Sequence, residues 1–244
     1  MARATISDGI AKSPSGSRPI VRRLASAGRT RIAFRRKVSS YDRFSHALQS
    51  KIHNSVVIFS ERYRRKAMSS APTSAAAVAN EFLALGDRDG IPIDQMKLQK
   101  LLYYAHAWHL AMNNKPLFDE DIEAWPWGPV VRDIYNETRS YGRGPITDPV
   151  SHLERVGRNA LDWRFTKPKP IEDKPTRDFL EEVWKSHKAY SGVQLSNSTH
   201  ATGEPWTIVK EQYGSLDRKP TIPNSLIADV FKKKLATTVA NPAA

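Results

Sequence analysis

From residue 74 onward, apolar side chains recur at steps of three and four, the period of helices that bury one face. Val78, Phe82 and Leu85 make the first stripe, with Thr73 or Ser74 as its N-cap and Gly86 as its stop. A turn at Asp87 to Gly90 leads to Asp94, which caps the strongest helix in the chain. Leu98, Leu101, Leu102, Ala105, His109 and Met112 share its stripe. Asn113-Asn114 can take the left-handed exit, and Pro116 bars continuation. A third helix is expected to open at Pro129, whose fixed φ suits a first helical position. It runs to Tyr141 with Val131, Ile134, Tyr135 and Thr138 inward.

Residues 143–175 are Pro-rich and irregular, with one short strand expected over Leu161 to Phe165. Thr176 caps a helix that ends near Tyr190 and turns Phe179, Leu180, Val183, Trp184 and His187 inward. Ser191 and Gln194 have the spacing of a capping box for a short helix around Leu195. Pro205 opens a helix carrying Trp206 and Val209. Asn224 caps the last one, with Leu226, Ile227, Val230 and Phe231 apolar. Lys232-Lys233-Lys234 reads as a run of cations where the dipole of that helix favours them. The expected fold is mainly α: a compact single helical domain over 74–236 with at most a small β element. A basic, disordered N-terminal segment over 1–73 precedes it, and a disordered tail over 237–244 follows.

Charge divides the chain at nearly the same place. Its 244 residues carry a formal net charge of +13. Residues 1–67 hold 16 Lys and Arg against Asp8, Asp42 and Glu61, so the whole excess lies there; residues 68–244 hold 22 bases and 22 acids. A domain without net charge has little general attraction for phosphate backbones, so a nucleic-acid partner is expected only through residues 1–67. Four readings of that arm stay open: contact with nucleic acid or anionic lipid, a transit peptide, an inert disordered tail, or upstream sequence ahead of a true start at Met68. Met68 opens a Ser, Ala, Pro and Thr lead-in to the first helix, which supports the last.

With no cysteine, disulfides, thiolate nucleophiles and Cys-ligated metals are excluded, which fits a cytoplasmic protein. No apolar stretch approaches the roughly 18 to 20 residues of a membrane span. His106 and His109 are three apart, close enough on a helix to share a metal, but no Glu follows the first His as a zinc protease requires. A packed, hydrogen-bonded His109 and a surface His106 is the simpler reading. Asp119, Glu120, Asp121 and Glu123 flank Ile122 as a short edge strand with solvated charges; a divalent-cation or acid–base site is the alternative. Phosphate-loop, dinucleotide and nucleophile-elbow motifs are absent, and Ser198-Thr199-His200 lacks a paired acid. No catalytic residue, metal ligand or cofactor is assigned.

Trp125-Pro126-Trp127-Gly128-Pro129 stands apart as a rigid aromatic segment. Its indoles can staple a small core or anchor a partner, and one can be buried while the other faces outward. Three stretches together resemble the Panacea antitoxin domain, also described as SocA-like or phage-associated GepA-like. They are Leu98 to Leu110, Pro116 to Asp119, and Ile122 to Val131 with Tyr135. Leu195 to His200, Pro205-Trp206 and Ile222-Pro223 before a terminal helix extend the resemblance over about 74–236.

The resemblance implies a mainly helical, non-enzymatic antitoxin that neutralises a toxin encoded beside it by direct binding; some members present the toxin to a protease. On matched positions it singles out Trp125, Trp127, His200 and Trp206, with Tyr103, Tyr104 and His109 beside them. Two roles are open to these seven: holding the fold or touching the toxin. The rival readings are a DNA-binding regulator and a metal-dependent hydrolase using His106, His109 and the acids at 119–123.

Overall fold

A computed structural model describes residues 73–155 and 162–240. The segments 1–72, 156–161 and 241–244 lie outside the described residues, and so do the expectations for the basic arm and Met68. The described residues form seven α-helices and two two-stranded antiparallel sheets. In chain order these are α1 Ala75–Asp89, α2 Gln95–Asn113, β1 Ile122–Trp125, β2 Gly128–Val131, and α3 Arg132–Thr138, extended by a 3-10 turn at Arg139–Tyr141. Then come β3 His152–Arg155, β4 Trp163–Thr166, α4 Lys174–His187, α5 Gly192–Thr199, α6 Pro205–Tyr213 and α7 Asn224–Ala240. The fold is mainly α, as expected.

Helix α2 is the axis of this assembly. Asp94 caps it by accepting from the Lys97 amide at 2.7 Å, and Asn114 ends it at φ +57°, both as the sequence predicts. Every residue from Lys97 to Leu110 is buried, because α1, α4, α5, α7 and β2 pack around it. A single inward stripe is therefore too narrow a description. Tyr103, Tyr104, His106, Ala107 and Trp108 lie off that stripe and are buried too, which is where a helix apolar or aromatic on all sides belongs. His106 is accordingly no surface residue. It packs on the Phe118 ring at 4.3 Å, and its Nε2 lies 2.9 Å from Asn224 Oδ1.

Several boundaries differ from expectation for identifiable reasons. Helix α1 passes through Gly86 and stops at Gly90, φ +66°. Gly86 serves packing: a Cβ there would stand 2.9 Å from the Ile91 carbonyl and from the Ile93 side chain, which fold back over the helix. Helix α4 is capped by Asp173 rather than Thr176, whose amide donates to that carboxylate at 2.9 Å, and it ends at His187. Its inward set, Phe179, Leu180, Val183, Trp184 and His187, is buried as predicted. The capping box of α5 is present, with Ser191 and Gln194 each bonding the other's backbone amide.

Helix α7 continues through Ala240, past the expected domain end at 236, so Lys232, Lys233 and Lys234 lie in its middle. The helix dipole therefore does not account for them. Lys232 instead donates to Asn114 Oδ1 at 2.6 Å, and Lys234 pairs with buried Glu204.

The largest correction concerns Pro129. It opens no helix but lies in β2, paired antiparallel with β1 so that Trp125 faces Gly128 across the Pro126-Trp127 turn. Helix α3 begins only at Arg132. The other edge of β1 is bonded into the body: the Ala124 amide donates to the Pro220 carbonyl at 2.8 Å, and the Ile222 amide to the Ile122 carbonyl at 2.7 Å. The strand is thus not an open edge. In 143–175, the expected strand near Phe165 is β4, and β3 is an unexpected partner for it, in the register Leu153 to Phe165. Among the described residues, no helix is long and apolar enough to cross a membrane.

Candidate functional site

The β1–β2 hairpin is where the Trp-Pro-Trp segment and the buried polar groups of α2 meet. Alternate carbonyls along it each accept a side-chain hydrogen bond. Trp206 Nε1 donates to Trp125 O at 2.8 Å, and Ser196 Oγ to Trp127 O at 2.7 Å. Lys100 Nζ donates to Pro129 O at 3.0 Å, and Gln99 Nε2 to Val131 O at 3.3 Å. Gln99 also accepts from the Val131 amide at 2.8 Å, so one carboxamide brackets one residue's backbone. These posts come from α2, α5 and α6, and they tie the hairpin to three helices. Each bond also satisfies a carbonyl that would otherwise cost free energy on losing water.

Gly128 makes this approach possible. Its φ is +100°, and a Cβ there would stand 2.7 Å from Thr199 Oγ1 and 2.8 Å from Lys100 Nζ. Lys100 is itself buried, and burial lowers its ammonium to about 7. A lysine this deep keeps one bonded acceptor, the Pro129 carbonyl, and disfavours its own charge. Beside it, the His200 ring stacks on Trp206 with centroids 3.9 Å apart and planes 21° apart. Burial first, then the charges of Lys100 and Lys210, lower the His200 imidazole to about 4, so it is neutral at physiological pH.

The seven residues singled out by sequence occupy three different environments. Tyr103, Tyr104 and His109 are buried in the core: Tyr103 meets Tyr104 and Phe231 edge-on, Tyr104 packs on His187, and His109 Nδ1 lies 2.8 Å from the Lys115 carbonyl. His200 and Trp206 form the stack behind the hairpin. Trp125 is half-buried; its Nε1 donates to Glu123 at 2.7 Å, and its ring is covered by Tyr135 at 4.6 Å and by Lys219. Trp127 alone of the seven is fully outward, at 71% exposure, on a hairpin whose carbonyls are bonded by four side chains. Val193, also exposed, lies one helical turn before the Ser196 that bonds Trp127.

Gln99, Lys100 and Ser196 were not singled out from sequence. For Gln99 and Lys100 the available signal was the aromatic and apolar character of α2 on every face, which buries polar residues in the middle of that helix; Ser196, on α5, carried no such signal. His106 and His109 do not converge: one bonds Asn224 and the other Lys115. Among the described residues, no group of three or more His, Asp or Glu is placed to hold a metal ion. Asp119 and Asp121 face solvent, whereas the Glu120 carboxylate accepts from the Ala75 amide at 2.9 Å at the start of α1.

The model of the family "Antitoxin SocA-like, Panacea domain" matches residues 98–207, a span that contains all four hairpin posts. Antitoxin SocA of Caulobacter vibrioides (strain NA1000 / CB15N) is 30% identical over 167 residues, covering 68% of this chain and 86% of that protein. No solved structure matches the chain. A relative of that identity, covered over most of its length, together with the family match places the sequence: the chain belongs to the SocA-like, Panacea-domain family of antitoxins.

Proposed function

We propose that this protein is the antitoxin of a toxin–antitoxin pair and neutralises its toxin by direct protein–protein binding, without catalysis. The observation that carries the reading is Trp127, an indole left 71% exposed at the tip of a hairpin immobilised by four side-chain posts. Tryptophan is the residue type most enriched where binding energy concentrates, and a rigid backbone spares the entropy of ordering it on contact. Tyr103, Tyr104, His109, His200 and Trp206 then serve the scaffold, and Trp125 supports the turn. Family membership supplies the role, and the hairpin supplies a surface able to perform it.

The test is co-expression of the full chain with the product of the adjacent gene. Growth rescue and co-purification are expected, with rescue weakened by Trp127→Ala. An adjacent product that is toxic yet neither rescued nor bound would overturn the reading. Repeating the rescue in hosts lacking individual ATP-dependent proteases separates simple masking, which survives, from delivery for degradation, which does not.

A further inference from the structure

Residues 189–203 contain no Asp, Glu, Lys or Arg, although 26% of the sequence is charged. The two charges that bound the stretch are paired elsewhere: Lys188 Nζ lies 3.0 Å from Asp89 Oδ2, and Glu204 pairs with Lys234. All of α5 lies within this stretch, and α5 runs beside the tip of the Trp127 hairpin. Ser196 Oγ bonds Trp127 O, and a Cβ at Gly128 would meet Thr199 Oγ1 at 2.7 Å. Positions three apart share a helix face, so Val193 continues the row of Ser196 and Thr199 along the hairpin. Ser196 and Thr199 are buried, whereas Val193 is 59% exposed. Among the described residues three large apolar side chains are exposed, and two of them, Trp127 and Val193, flank the same Ser196. Pro126 beside Trp127 is also exposed, and Gln194 and Asn197 are half-buried amides. An exposed helix ordinarily carries charges for solvation; apolar and aromatic groups among uncharged polar ones are instead the composition of an interface centre.

We propose that the uncharged outer face of α5, centred on Val193, continues the Trp127 surface and docks on an apolar, uncharged patch of the toxin. This rests on the toxin-binding reading and adds the chemistry of the surface that is bound. The partner's chemistry follows from charge: this face offers no ion to pair, so a charged group brought against it would lose water without compensation, and an apolar patch would not.

The experiment measures binding of the full chain to the toxin encoded by the adjacent gene, at low and high salt. Val193 is the second residue of α5, where the helix dipole favours a carboxylate, so Val193→Glu should leave the unfolding midpoint unchanged or raise it. The same substitution is expected to weaken binding roughly tenfold or more, because it buries an unpaired charge. Wild-type affinity should change less than about twofold with added salt. Tyr213→Glu, at the end of α6 and outside the uncharged stretch, is the control and should bind like wild type. A Val193→Glu chain that binds as tightly as wild type, an equal loss in Tyr213→Glu, or a steep fall of wild-type affinity with salt overturns the uncharged-face proposal while toxin binding stands. A wild-type chain that binds no adjacent toxin overturns both.

Discussion

Gly128 carries more of the candidate site than its size suggests. It combines a φ of +100°, which side chains disfavour, with a void too small for a methyl group between Thr199 and Lys100. Gly128→Ala should therefore cost about 2 to 4 kcal/mol, summing backbone strain and overpacking. Urea unfolding of the variant against wild type measures it; a loss below about 1 kcal/mol would show that the hairpin relaxes easily. Lys100 beside it illustrates a different economy. Its buried amine is tolerated because it satisfies a carbonyl of β2, and Met or Leu at that position would leave Pro129 O without its donor. Sequence showed the glycine and the lysine, but not that they touch.

Between elements, the clamp is a set of long-range bonds. Gln99 and Val131 are 32 residues apart, Ser196 and Trp127 69, and Trp206 and Trp125 81. Asn80 uses the same device elsewhere, bracketing Val150 by bonding both its amide and its carbonyl, at 2.7 and 2.9 Å. Gln99→Leu keeps the volume and removes both bonds to Val131, at a cost of about 1 to 3 kcal/mol. Hydrogen exchange should report faster opening of the Val131 amide while amides of α1 stay protected. Equal protection at Val131 would mean that the hairpin is held by β1 and the other posts alone.

Helix positions, the left-handed exit at Asn114 and the capping box at Ser191 were all legible, because they depend on spacing within a few residues. The hairpin was not. Pro129 suits a helix start as well as a strand, and only the partner strand and the posts decide between them.

Across the whole molecule, four imidazoles whose protonation burial disfavours, His106, His109, His187 and His200, make stability depend on pH. Burial lowers His106, His187 and His200 from 6.5 to about 4. The unfolded chain therefore takes up protons between those values that the folded chain refuses, so stability is full above about 6.5 and declines as pH falls toward 4. Glu81 and Glu120, whose carboxyls burial raises, act in the opposite sense. The expected result is a lower urea midpoint at pH 5 than at pH 7.5, with a smaller drop in His187→Gln. A drop of the same size in that variant would exclude His187 as a contributor.

The amino-acid sequence by itself determined the helical class, both ends of α2, the caps of α1 and α5, the neutral charge of residues 68–244 and the family motifs. Each of these follows from local periodicity, composition or residue order. Only the tertiary structure decided that α2 is buried all round, that Tyr103, Tyr104 and His109 belong to the core, and that Trp127 alone of the seven points fully outward. Burial depends on what packs against a side chain from distant parts of the chain. One-dimensional spacing gives the face a residue occupies, and the neighbours that cover that face arrive only with the fold.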